Sequence, residues 1–149
     1  RAPKLPYPRL PDLGDWYWTI TKELLARRRP RIVIAHSLGG LALLRVLEEV
    51  KIPVDLAVFV ATPLHLHAKA KRIAKFFRVR YGWTKIRKNI KKAIVIHAKN
   101  DQWVPVINGK ELAKALGVKL IMPKTGGHFD TKKFPLLLNI LTKALGARL

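Results

Sequence analysis

Cysteine is absent from the 149-residue chain, which excludes disulfide scaffolds, thiol nucleophiles and cysteine-ligated zinc. Acid is scarce: nine Asp and Glu stand against thirty Lys and Arg, a net charge of +21. Between Asp55 and Asp101 there is no acid at all, while twelve Lys or Arg fall in that stretch. Long apolar runs are missing too. Runs such as Ile32–Ala35 and Leu56–Ala61 are far below the ~18 residues needed to span a bilayer. No charged-then-apolar leader opens the chain. A soluble, cytoplasmic protein without a membrane span is therefore expected. With 49% hydrophobic and 26% charged residues, wholesale disorder is excluded, and the length suits a single domain over residues 1–149. The first residue is Arg1 rather than Met, so an upstream segment is expected to have been removed or left out.

The positive charge is concentrated. Lys69–Lys92 interleaves Lys69, Lys71, Arg72, Lys75, Arg78, Arg80, Lys85, Arg87, Lys88, Lys91 and Lys92 with Phe76, Phe77, Tyr81 and Trp83. One reading is a surface for nucleic acid or an anionic membrane, with cations on phosphates and aromatics stacking. The other is a solvated cationic helix face whose apolar side, Ile73, Phe76 and Phe77, belongs to the core.

Prolines at positions 3, 6, 8 and 11 predict an extended opening. Asp15 is placed to cap a helix from about Trp16 to Arg29, ended by Pro30. Arg31–Ala35 reads as a strand buried on both faces, followed by a helix over Leu38–Val50. Further strands are expected at Val54–Ala61, Ala93–Ala98 and Val118–Met122. Helices are expected at about His67–Phe77, Lys85–Lys91, Val106–Leu116 and Thr131–Leu145, with Gly117 stopping the third of these. Four apolar strands alternating with helices describe an α/β fold: a parallel sheet with helices on both faces.

At the end of the first strand stands Ala35-His36-Ser37-Leu38-Gly39-Gly40, running straight into a helix. A serine in a tight strand-to-helix turn has the arrangement of a nucleophile elbow, in which small residues two positions either side let backbone segments approach. Ala35 and Gly39 fill those positions. The N–H of Leu38, at the helix N-terminus, would face a developing oxyanion. The alternative is a serine that merely caps the helix. Beyond the third strand comes Asn100-Asp101-Gln102-Trp103-Val104-Pro105, holding the single acid between Asp55 and Glu111; on its own Asp101 could be a turn or cap residue. Beyond the fourth comes Lys124-Thr-Gly-Gly-His128-Phe129, whose histidine could equally sit idle in a loop. Parallel strands all end on one side, so Ser37, Asp101 and His128 share one sheet edge. Their chain order, Ser then Asp then His, is that of an α/β-hydrolase triad.

These motifs resemble the serine hydrolase family of retinoblastoma-binding protein 9 and the bacterial YdeN-type proteins, which are small α/β-hydrolases. The resemblance rests on Pro3-Lys-Leu-Pro6-Tyr-Pro8 through Trp16, the elbow Ala35–Gly40, Val60-Ala-Thr-Pro63, Asn100-Asp101 with Val104-Pro105, and Gly126-Gly127-His128-Phe129. It implies Ser37 as nucleophile, Asp101 as acid, His128 as base, and carboxylesterase-like action on small ester or acyl substrates without a metal or organic cofactor. It also implies a strand, a His-Gly type loop, a helix and a second strand ahead of the proline-rich opening. That loop would supply a second oxyanion donor beside Leu38, so residues 1–149 alone are expected to be slow. His36, Leu64, Trp103 and Phe129 are candidates to line the substrate pocket, with core or rim packing as the alternative. His65 and His67 could hold a metal by spacing, but no acid lies near in sequence, and a loop or helix-start reading is preferred, with substrate-pocket lining as the alternative. His97, inside a strand, is expected to be a packed, hydrogen-bonded imidazole. A rival to hydrolysis is a binding module that keeps the fold and uses Lys69–Lys92 for nucleic acid or another anionic partner.

Overall fold

The computed structural model describes residues 2–65, 71–77 and 80–146. Chain order is α1 (Leu13–Leu25), β1 (Ile32–His36), α2 (Leu38–Glu49), β2 (Leu56–Val60), a 3₁₀ turn (Lys71–Phe76), α3 (Trp83–Lys88), β3 (Ala93–Ile96), α4 (Ile107–Leu116), β4 (Leu120–Ile121) and α5 (Pro135–Leu145). The four strands form one sheet in the order β1-β2-β3-β4. Every neighbouring pair is parallel, with Ile32 beside Leu56, Ala57 beside Ala93 and Val95 beside Leu120. Each crossover therefore carries helical structure, as parallel pairing requires.

The alternation of side chains along each strand divides the core in two. Ala35, Ala57, Phe59 and Val95 face one side and pack with residues of α1, α2, α3 and α4, including Leu24, Leu41, Leu44, Ile86 and Leu112. Leu56, Val58, Val60 and Ile96 face the other, where Leu137, Ile140 and Leu141 of α5 cover them. Helices thus lie on both faces, as the sequence pattern implies.

Local chemistry shifts several expected boundaries. Helix α1 begins earlier than Asp15, because Asp12 is the cap: its carboxylate accepts from the N–H of Gly14 (2.8 Å) and Asp15 (3.3 Å). The expected burial of β1 on both faces does not hold. Val33 and Ala35 face the main core, but Ile32 and Ile34 are 38% and 46% exposed. They share a face with Leu56 and Val58, yet β1 is the edge strand and α5 packs over β2 and β3. An open groove of about 850 Å³ runs between β1 and α1 along that edge. Of the helix expected over His67–Phe77, the first part lies outside the described residues and the rest is the 3₁₀ turn ending in buried Phe76. Gly117 does stop α4, with φ +72°. Among the described residues no helix is long and apolar enough to cross a membrane.

Candidate functional site

The carboxyl ends of β1, β3 and β4 deliver three polar side chains to one place. Ser37 fills the single-residue turn between β1 and α2 at φ +52° and ψ −128°, a backbone region that L-residues rarely adopt. Two bonds fix it there: its N–H donates to Val60 O (2.9 Å), extending the ladder, and its carbonyl accepts from Gly40 N–H (2.9 Å). The turn also needs a missing side chain. A Cβ on Gly40 would lie 2.1 Å from Thr62 Oγ1, whereas one on Gly39 would meet nothing within 4 Å. The close approach expected of Gly39 thus belongs to Gly40.

Asp101 follows β3 in a turn that closes on its own carboxylate. Its Oδ1 accepts the N–H groups of Trp103 and Val104, both at 2.9 Å, and the side chain is fully buried. Oδ2 lies 2.9 Å from His128 Nδ1. Because an ionised carboxylate only accepts, Nδ1 carries the hydrogen and Nε2 keeps its lone pair. That Nε2 lies 3.0 Å from Ser37 Oγ. The result is a continuous path from hydroxyl to imidazole to buried carboxylate.

The loop holding His128 is itself tied down. Gly127 N–H donates to Asn100 Oδ1 (3.0 Å), Phe129 N–H donates to Gly126 O (3.0 Å), and His36 Nε2–H donates to His128 O (2.6 Å). Gly126 and Gly127 have φ of +140° and +54°, which only glycine accepts without strain. Loss of hydration where the His36 ring packs on His128, centroids 4.8 Å apart, holds its pKa below the ordinary 6.5. Its bond to the His128 carbonyl works in the opposite sense.

Beside Ser37 and His128 opens a cavity of about 410 Å³, walled by Leu38, Pro63, Ile73, Phe77, Trp103 and Val104. As the first residue of α2, Leu38 has an N–H without a partner inside the helix. Trp103, 64% exposed, stands at the rim. Two of the other three residues expected to line a pocket sit elsewhere. His36 braces the His128 loop and, with Ser37 and Leu38, also lines the groove of about 850 Å³ between β1 and α1. Leu64 packs on the main core with its N–H on Asn108 Oδ1 (2.8 Å), while its neighbours Pro63 and His65 line the cavity. Phe129 stacks on Phe134, centroids 4.5 Å apart, because its φ of +56° turns the ring under α5.

The structure also answers for the remaining histidines. His65 pairs with Glu111, an acid distant in sequence, and His67 lies outside the described residues. His97 is buried and bonded to Val104 O, as expected. In the basic segment, Lys69 and Arg78 lie outside the described residues. Of the aromatics there, Phe76 is buried, and Phe77, Tyr81 and Trp83 are half-buried and pack against the main core. Burial also pushes the Tyr81 hydroxyl up to about 12. Sequence reasoning assigned no role of their own to Thr62, Asn100 or Asn108. Asn108 has the clearest signal, a polar residue at the start of an amphipathic helix; its Oδ1 accepts from Leu64 and His65 and its Nδ2 donates to Pro105 O (2.8 Å).

The family model described as Serine hydrolase matches residues 4–134. The chain belongs to that family. It is 28% identical over 144 residues to YdeN of Bacillus subtilis (strain 168), covering 93% of this chain and 76% of YdeN. It is 27% identical over 114 residues to the serine hydrolase RBBP9 of Rattus norvegicus, covering 76% of this chain and 61% of RBBP9. The crystal structure of the B. subtilis ydeN gene product superposes with a TM-score of 0.88 at 27% identity, over 95% of this chain and 80% of that one. The match to the family model takes in Ser37 and Asp101 as well as His128, so the whole hydrogen-bonded path of this serine hydrolase lies inside it.

Proposed function

We propose that the chain acts as a carboxylesterase-type hydrolase, cleaving small ester or acyl substrates through an acyl-enzyme with Ser37, His128 and Asp101 as its triad. The observation that carries this reading is the pair of distances at His128: 3.0 Å from Nε2 to Ser37 Oγ and 2.9 Å from Nδ1 to Asp101 Oδ2.

In the first half-reaction, His128 Nε2 takes the Ser37 proton as Oγ bonds to the substrate carbonyl carbon. Asp101 holds the imidazole in the right tautomer and stabilises the imidazolium. The negative charge on the carbonyl oxygen develops toward the free N–H of Leu38. Collapse breaks the bond to the leaving oxygen, which receives the proton from His128. Water then repeats the sequence on the acyl-enzyme, His128 acting first as base and then as acid, and Ser37 is regenerated. The apolar walls of the adjacent cavity suit an uncharged acyl group.

Incubation with a fluorophosphonate probe and with p-nitrophenyl acetate tests the proposal. Labelling and p-nitrophenol release are expected from the parent protein, and both should vanish in Ser37→Ala. Undiminished labelling of Ser37→Ala would remove Ser37 from its role.

A second reading, compatible with the first, is contact with nucleic acid or another polyanion through the basic segment. Lys75, Arg80, Lys85, Lys88 and Lys92 are exposed and support it. With Phe76 buried and Phe77, Tyr81 and Trp83 half-buried, such binding would rest chiefly on phosphate contacts. Affinity for a DNA or RNA duplex should then fall steeply with added salt; no binding at low salt would dismiss it.

A further inference from the structure

His97 is a buried imidazole for which the reaction as described has no use. It follows β3, is 0% exposed, and lies against α4 so closely that a Cβ on Gly109 would stand 2.7 Å from its Nδ1. That Nδ1 has no hydrogen-bond partner. Nε2 lies 2.9 Å from Val104 O and 3.4 Å from Asp101 Oδ2. Both of those oxygens accept, so Nε2 carries a hydrogen. An apolar side chain would fill this space without burying an unpaired nitrogen, which folded proteins generally avoid. Packing alone therefore gives no reason for a histidine here.

The arrangement of donors around Asp101 supplies one. Oδ1 is held by two backbone N–H groups, those of Trp103 and Val104. Oδ2, the oxygen that faces His128, accepts from His128 and has His97 Nε2 standing 3.4 Å away, its hydrogen directed to Val104 O. We propose that His97 is a positioning residue for the hydrolysis: its one N–H donates to the Val104 carbonyl and so ties down the turn that carries Asp101, while its ring edge, 3.4 Å from Oδ2, bounds the carboxylate that orients His128. The Val104 bond anchors the turn whose backbone holds Oδ1, and the approach to Oδ2 limits how far the carboxylate can rotate away. This inference rests on the reading of Ser37, Asp101 and His128 as a triad.

The test compares His97→Phe and His97→Leu, which fill the space without a donor, with His97→Gln, which carries an N–H at similar reach. The titratable groups facing His128 are Asp101, His36 and His97. Without the His97 donor, the turn that carries Asp101 loses its tie to the ring, and the carboxylate orients His128 and stabilises its imidazolium less well. In both apolar variants kcat on p-nitrophenyl acetate should therefore fall by roughly three- to tenfold, the scale of one modest hydrogen bond, with KM unchanged. The acid limb of kcat/KM should also move to lower pH, because a less well placed carboxylate favours the protonated base less, and the downfield proton resonance of His128 Nδ1–H should shift. His97→Gln should return all three toward the parent values. Parent-like kcat and acid limb in a folded apolar variant, or equal losses in all variants with the limb unmoved, would overturn the role of His97. Ser37→Ala separates the two levels of the argument: if it still abolishes labelling, the triad stands while His97 falls. Should the parent protein neither label nor turn over, both fall together.

Discussion

A methyl group on Gly40 would stand 2.1 Å from the hydroxyl oxygen of Thr62 and 2.5 Å from its Cγ2. Thr62 is buried and follows β2, so the first turn of α2 seats directly on the end of the neighbouring strand. The same turn sets the N–H of Leu38 and the strained backbone of Ser37. Gly40→Ala should therefore cost stability and activity together. Overpacking of this kind costs about 1–3 kcal/mol, readable as a lower urea midpoint. Thr62→Ala in the same chain removes both nearest atoms and should recover part of the loss. Additive losses in the double variant would show that the two residues do not meet.

Ser37 offers the opposite trade. At φ +52° and ψ −128°, a non-glycine residue carries strain on the order of 1–3 kcal/mol, offset in part by the extra freedom glycine has in the unfolded chain. Ser37→Gly should unfold at a higher temperature than Ser37→Ala, although both lack the hydroxyl and neither should react with a fluorophosphonate. Differential scanning fluorimetry of the two variants decides it. Equal melting temperatures would mean that the turn is relaxed.

How much of this was legible in the sequence depends on what each residue's role requires. Ser37, Asp101 and His128 could be read because each follows an apolar run, and parallel strands send all such residues to one edge. Ile32 and Ile34 misled because a β-branched apolar run looks the same at an edge as in the middle; only the reach of α5 separates the two. Phe129 and Leu64 misled for a related reason. Adjacent loop residues point in directions set by local φ values, and the +56° at Phe129 is invisible in composition. Gly40 and Thr62 lie 22 positions apart, and their contact follows from strand register, which no motif spacing encodes. The pairing of His65 with Glu111 escaped a search restricted to neighbours in sequence.

Two imidazoles give the fold a predictable response to acid. His36 and His97 both have pKa values held below the ordinary 6.5, in each case chiefly by loss of hydration. A group with a depressed pKa in the folded state binds its proton more readily when unfolded. Its contribution is therefore complete above pH 6.5 and is lost as pH falls from there toward the folded value. The fully buried His97 can contribute a slope of at most about 1.4 kcal/mol per pH unit in that window, and His36, partly open to solvent, less. Urea midpoints should decline between pH 7.5 and 5.5, and His97→Gln should flatten the decline. A midpoint independent of pH across that range would contradict the assignment.

The cavity beside Ser37 predicts which acyl groups turn over best. Its volume of about 410 Å³ and its walls of Pro63, Ile73, Phe77 and Val104 leave room for more than an acetyl group and offer little to a charged one. Each methylene that enters is worth up to ~0.8 kcal/mol of transfer free energy, or about a fourfold gain if fully realised. Along a p-nitrophenyl ester series, kcat/KM should rise from acetate through butyrate to hexanoate, then level off once the chain outgrows the space. Trp103, largely exposed, stands at the rim of the cavity, where the longer chains are expected to reach it. Trp103→Ala should therefore lower kcat/KM for hexanoate several-fold and leave acetate nearly unchanged. Phe77→Ala enlarges the far wall and should move the plateau to longer esters. A flat profile with a hydrolytically competent protein would mean that the acyl group lies along another path from Ser37, and that the apolar walls serve the core alone.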